Sequence, residues 1–213
     1  MPFIFNEETN AFEGTNAFGT SLAGFDFSVF GGMITNSGAI TTTVTANSDA
    51  GIELTNTLFG TLSKAPGTAF AVDLQGNGGR NFFNDGTVIG AVATGNGWDS
   101  IINSGYIQGQ VSTGSGNDRL VNQLIGGIDG GETIGTITGT VNMGNGDDTV
   151  LNLGVLHDVR LGAGNDTYSV TDLGAEDFFV LESGTPRGVA GDVRGEGGND
   201  VLSGGTADDR FYG

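Results

Sequence analysis

Nineteen residues separate one copy of a motif from the next in the middle of this chain, and that spacing constrains the fold more than any other feature. Residues 65–83, 84–102 and 103–121 align without a gap. The second segment reads NDGTVIGAVATGNGWDSII and the third NSGYIQGQVSTGSGNDRLV. Their common frame is Asn-x-Gly-x-(Ile/Val)-x-Gly-x-Val-x-x-Gly-x-Gly-x-Asp-x-(Ile/Leu)-(Ile/Val). A fourth copy starts at Asn122 and resumes at Gly135 after roughly eleven extra residues, running to Leu151. The fifth, 152–170, contracts by one residue before Gly162, and after an insertion around 171–187 the frame returns as GVAGDVRGEGGND. Upstream, Asn36-Ser-Gly-Ala-Ile and Asn56 mark degenerate copies without the Asp turn.

A short repeat of this kind folds by stacking. Within each copy, apolar and polar residues alternate, as in Tyr106-Ile107-Gln108-Gly109-Gln110-Val111, which is strand spacing. No such run forms a sheet alone. Stacked coils pair each strand with its next copy in parallel, and the inward Ile and Val become one continuous core. The expected fold is all-β: a right-handed parallel β-solenoid (β-helix or β-roll) with coils of about nineteen residues. The recurring Asn84, Asn103, Asn122 and Asn152 are expected to hydrogen-bond along the axis as an amide ladder. Three regions follow: a Phe-rich N-terminal cap at 1–35, β-helix coils at 36–194 with loops near 123–134 and 171–187, and closing turns at 195–213.

Composition narrows the functions. Twenty-five acids face seven bases, for a formal net charge of −18. Such a chain repels nucleic acid and anionic lipid, and no segment approaches the length of a membrane span. There is no cysteine, so neither a disulfide nor a thiolate metal site contributes. The acids either form a solvated surface or hold cations.

Their positions favour cations. Gly-x-Gly-x-Asp recurs with Asp99, Asp118, Asp148 and Asp166, and stacking brings these carboxylates into one column. Neighbouring charges about 5 Å apart repel by roughly 3 kcal/mol at an effective dielectric near 20. Either the side chains turn into water or a cation sits between them. Glycines leave carbonyl oxygens uncovered, which suits Ca²⁺ with its six to eight oxygen ligands better than the strict octahedron of Mg²⁺. Arg80 occupies the Asp position one coil earlier and is expected to act as a built-in cation at the end of the column.

The C-terminus carries two successive nonapeptides, Gly195-Glu-Gly-Gly-Asn-Asp-Val-Leu-Ser203 and Gly204-Gly-Thr-Ala-Asp-Asp-Arg-Phe-Tyr212. They resemble the repeat-in-toxin (RTX, hemolysin-type) consensus Gly-Gly-x-Gly-x-Asp-x-apolar-x. The resemblance implies a calcium-binding β-roll, with carboxylate ligands from Asp200 and Asp209 and carbonyls from Gly195, Gly198 and Gly204. The chain departs from the consensus at Glu196 and Ala207, each in place of a glycine. Upstream, the Asn-x-Gly-x-Ile half is similar to coils of bacterial adhesin and autotransporter β-helices. The resemblance further implies type I secretion through a C-terminal signal not seen here, since the segment MPFIFNEE lacks the basic and apolar parts of a cleaved leader.

The expected role is a secreted or cell-surface calcium-binding module, structural or adhesive, whose partners are calcium ions and an extracellular polysaccharide or cell surface. An enzyme is not expected: His157 is the only histidine and Lys64 the only lysine, and no nucleophile, zinc or phosphate-loop pattern appears. The alternatives are a polysaccharide lyase, epimerase or carbohydrate-binding module, for which Trp98 offers a stacking surface, and calcium-driven self-assembly. The oligomeric state is not legible.

Overall fold

The structure is a computed structural model and describes residues 3–6, 11–16, 21–22, 25–26, 31–47, 49–126, 132–170, 191–205 and 210–213. Among them there is no helix, and so none long and apolar enough to cross a membrane. Nearly all the strands join three sheets of ten, nine and seven strands, and within each the order follows the chain, coil upon coil. All pairings in these sheets are parallel except the first, where Phe3–Asn6 lies antiparallel to Ala11–Asn16. The chain is a parallel β-solenoid.

Alternation along each strand makes the core. In the ten-stranded sheet the inward column runs Ile34, Leu54, Phe82, Ile101, Leu120, Val150 and Tyr168. The nine-stranded sheet contributes Val44, Val72, Val92, Val111, Val141, Val159 and Val193, and the seven-stranded sheet Ile40, Leu62, Val88, Ile107, Ile137 and Leu156. All are buried. Each such side chain contributes about 1.5–3 kcal/mol relative to exposure. No coil encloses its apolar residues alone, so stability comes from stacking.

Strand after strand of the ten-stranded sheet ends on asparagine, from Ala11–Asn16 to Thr149–Asn152. The Nδ2 of Asn16 donates to Asn36 Oδ1 (2.8 Å), Asn36 to Asn56 (2.8 Å), Asn56 to Asn84 (2.8 Å), Asn84 to Asn103 (2.7 Å), Asn103 to Asn122 (2.8 Å) and Asn122 to Asn152 (3.0 Å). Asn152 closes the series on the Tyr168 hydroxyl at 3.2 Å. The coil frame therefore reaches Asn16, twenty residues before the first copy read from the sequence. Among the described residues of the Phe-rich segment, only Phe3–Asn6 runs against the coil direction.

Insertions leave this frame intact. Leu124–Gly126 and Glu132–Ile134 pair as an antiparallel ribbon outside the three sheets, while Asn122 Nδ2 reaches across its base to Gly135 O at 2.9 Å. The insertion expected at 171–187 lies outside the described residues. At the C-terminal end, among the described residues, Asp192–Gly197, Val201–Ser203 and Arg210–Tyr212 alternate between the nine- and ten-stranded sheets without a strand in the seven-stranded one. The nonapeptide spacing thus gives a two-sided coil where the nineteen-residue spacing gives a three-sided one.

Candidate functional site

Each Gly-x-Gly-x-Asp turn links the nine-stranded sheet to the ten-stranded one. Asp99, Asp118, Asp148, Asp166 and Asp200 each stand one residue before a strand of the latter. The turns need glycine twice over. Gly114 and Gly116 have φ of +94° and +137°, a region costly to residues with a Cβ. A Cβ on Gly116 would also lie 1.4 Å from the Gly97 carbonyl oxygen of the coil below.

The carboxylates do not turn into water. Asp99, Asp118, Asp148 and Asp166 are 0, 2, 1 and 1% exposed, which removes the solvated-edge reading for these four. Each Oδ1 accepts the backbone N–H of its counterpart one coil earlier: Arg80 to Asp99 (2.8 Å), Asp99 to Asp118 (2.8 Å), Asp118 to Asp148 (2.7 Å) and Asp148 to Asp166 (2.8 Å). Asp200, only partly buried, extends the ladder by accepting from Asp166 at 3.1 Å. The second oxygen is different. Oδ2 of Asp99, Asp118, Asp148 and Asp166 is buried with no hydrogen-bond partner.

The neighbouring hydroxyls do not fill that gap. Thr94 Oγ1 donates to Thr113 O (3.4 Å) and Thr113 Oγ1 to Met143 O (2.6 Å). Their proximity to Asp99 and Asp118 only offsets part of the cost of burial. Burial pushes the Asp99 carboxyl up to about 6, aided by the charge of Asp118. It pushes Asp148 up to about 7, with Asp118, Asp166 and Asp147 adding repulsion. Asp118 and Asp166 are raised for the same first reason. An ionised carboxylate in such surroundings, with one oxygen unpaired, costs several kcal/mol unless a cation or a proton meets it.

One coil before the column, a cation is already built in. Arg80 is fully buried. Its guanidinium donates to four backbone carbonyls: Leu74 O (3.2 Å), Gln75 O (2.8 Å), Gly78 O (2.6 Å) and Ala50 O of the preceding coil (2.8 Å). Burial pulls it below its ordinary value, while Asp99 and Asp49 pull it back up. A turn of this solenoid therefore offers converging carbonyl oxygens to a positive group.

Among the described residues no group of three or more His, Asp or Glu side chains gathers around one point. A cation in the column would therefore need backbone carbonyls beside the carboxylates to complete its oxygen shell. The orphaned carboxylate oxygens, together with backbone carbonyls of the kind that surround Arg80, would make an all-oxygen donor set of the type a hard cation prefers.

Five of the sequence-derived carboxylates, Asp99, Asp118, Asp148, Asp166 and Asp200, fall in one column. Gly195 packs against Asp200, with a Cβ there 2.3 Å from Asp200 Oδ2. Gly198 adopts φ +137° in the same turn, and Gly204 follows the strand Val201–Ser203. Asp209 lies outside the described residues. Glu196, standing at a glycine position, is the one described non-glycine with positive φ, at +68°. Away from the column, Trp98 is 66% exposed, and exposed His157 lies 3.3 Å from Asp158. The carbonyls held by Arg80 and the hydroxyls of Thr94 and Thr113 were not anticipated. The threonines had a signal, since both precede the first turn glycine of their copies.

Comparison with protein-family models, with curated proteins and with solved structures returns no match for this chain.

Proposed function

We propose that the aspartate column is a row of calcium sites, and that the chain is a secreted or cell-surface solenoid, structural or adhesive, whose folding calcium completes. One observation carries the reading: four buried carboxylate oxygens lack partners, in register with the position where the preceding coil inserts a guanidinium among carbonyls. A carboxylate has only acceptors, so stacking cannot satisfy it as it satisfies an amide. The remaining turns would supply the counterparts of the Arg80 carbonyls, and the Oδ2 atoms the negative charge.

Extracellular calcium modules bind at about 10⁻⁴–10⁻³ M, so low intracellular calcium would leave these sites empty. At a hundredfold excess over Kd each site would add about 2.7 kcal/mol. A chain loose inside the cell would then fold on export, which agrees with the type I route implied by the RTX-like nonapeptides. The test is far-UV circular dichroism and thermal melting of EDTA-treated protein during calcium titration, with magnesium as control. A rise in Tm specific to calcium supports the reading. The rival is a column held by protons, favoured by the raised Asp99 and Asp148 carboxyls; a Tm that responds to pH but not to calcium would establish it instead.

A further inference from the structure

We propose a second site, independent of the aspartate column: a trough between the seven- and nine-stranded sheets that binds an acidic polysaccharide. Its floor is made by glycine. Gly90, Gly109 and Gly139 stack at the corner between the two sheets, where a Cβ on Gly109 would lie 2.4 Å from Gly90 O and one on Gly139 2.4 Å from Gly109 O. With no side chains at the corner, a depression of about 400 Å³ opens over Gly90 and Gly109, and a second of about 340 Å³ on the adjoining nine-stranded sheet shares Ala91 and Gln110 with it.

The lining is chemically unlike the rest of the molecule. Twenty-five acids are spread over the chain, yet among the described residues none lines either depression. Instead Lys64 stands toward one end and Arg160 toward the other, with the amides of Gln108, Gln110 and Asn142 between them and the ring of Phe70 at the side. Both cations are exposed, and among the described residues neither enters a salt bridge, whereas Arg194 and Arg210 are engaged by Asp192. Register sets the length. Lys64 follows the strand Thr61–Ser63, and the steps through Thr87–Ile89, Tyr106–Gln108 and Thr136–Ile137 to the coil of Arg160 number four. At about 4.8 Å per coil the cations are about 19 Å apart along the axis.

This pattern selects the ligand. Amides recognise hydroxyl groups, an exposed aromatic face packs on a sugar ring, and separated cations match carboxylates spaced along a chain. An extended polymer carrying both hydroxyls and carboxylates meets all three, and a neutral glycan meets only two. The strongly negative surface outside the trough opposes binding of the same polymer elsewhere.

The test is isothermal titration of calcium-supplemented full-length protein with galacturonate oligomers, using malto-oligomers as neutral counterparts. Binding of the acidic series, weakened by salt and tightening with oligomer length up to the span of the trough, is expected. The double variant Lys64→Glu/Arg160→Glu should lose at least tenfold in affinity, with an unchanged circular dichroism spectrum because both side chains are exposed. Arg119→Glu, an exposed cation outside the trough, should bind as the wild type does. Gln110→Ala gives an uncharged check and should weaken binding about fivefold. No binding of the acidic oligomers, equal binding of the neutral ones, or full binding by the double variant would each overturn the proposal. The last result would point to calcium bridging the polymer to the acidic surface.

Discussion

Two polar ladders run along the axis of this solenoid, one of asparagine and one of aspartate, and they differ by one atom per residue. In the asparagine ladder each inner amide donates one N–H to the next Oδ1 and another to a carbonyl: Asn103, for example, reaches Asn122 Oδ1 at 2.8 Å and Gly105 O at 3.2 Å. Donor and acceptor alternate, so the column satisfies itself while fully buried. In the aspartate ladder the backbone N–H supplies one donor per coil and nothing supplies the second, leaving Oδ2 orphaned. A column of acceptors needs a positive partner from outside. Arg80 is what that partner looks like when the chain provides it.

Exchanging the two chemistries gives the largest expected effect. Asn103→Asp would place a carboxylate in the self-satisfied ladder, lose the donors to Asn122 and Gly105, and add an unpaired buried charge. A loss of about 3–5 kcal/mol is expected in denaturant unfolding, calcium present or absent; a variant as stable as wild type would mean that the amide ladder contributes little.

The reverse change should split by condition. Asp118→Asn keeps the Oδ1 acceptor for Asp99 N–H and replaces the orphaned oxygen with a donor. Without calcium the variant should melt above the wild type. With calcium at a hundredfold excess over Kd, it should miss the gain of at least one site, about 2.7 kcal/mol. Equal calcium responses in the two proteins would remove Asp118 from any metal site.

Acidity provides a milder perturbation. The carboxyls of Asp99 and Asp148 lie at about 6 and about 7 in the folded protein and near 3.9 when unfolded. The folded state therefore holds more protons in between, and metal-free stability should fall as pH rises from about 4 through 7. Calcium displaces those protons, so melting curves in its presence should lose most of this slope. A metal-free protein that becomes steadily more stable from pH 4 to 7 would contradict the burial of the column.

The smallest effect concerns the last coil. Glu196 pairs with Gly162, whose φ is +105°, and itself holds φ +68°. Glu196→Gly should raise stability by about 1 kcal/mol, read as a small upward shift in Tm. A decrease would show that the Glu196 side chain makes an interaction worth more than the strain.

Much of this was legible because repetition turns spacing into position. The nineteen-residue frame gave the solenoid, the amide ladder and one column for Asp99, Asp118, Asp148 and Asp166. Three things escaped it. Period alone does not say whether a turn side chain points outward or inward, so the burial of the aspartates, and with it their raised carboxyls, shows only in the folded structure. The coil ending on Asn16 was hidden because Asn16-Ala-Phe-Gly lacks the Asn-x-Gly spacing of the later copies. Lys64 and Arg160 belong to different coils and fall outside the shared frame, so nothing in the sequence joined them across one trough.

The central claim is that the orphaned carboxylate oxygens are met by calcium, and carbon-13 NMR of the aspartate side-chain carboxyls tests it most directly. The carboxyl resonances of Asp99, Asp118, Asp148 and Asp166 should shift together on calcium addition, and should then stay ionised at pH values where the metal-free carboxyls are protonated. Resonances indifferent to calcium, with Asp99 titrating near 6 and Asp148 near 7 whether or not it is present, would contradict the account and leave a column held by protons.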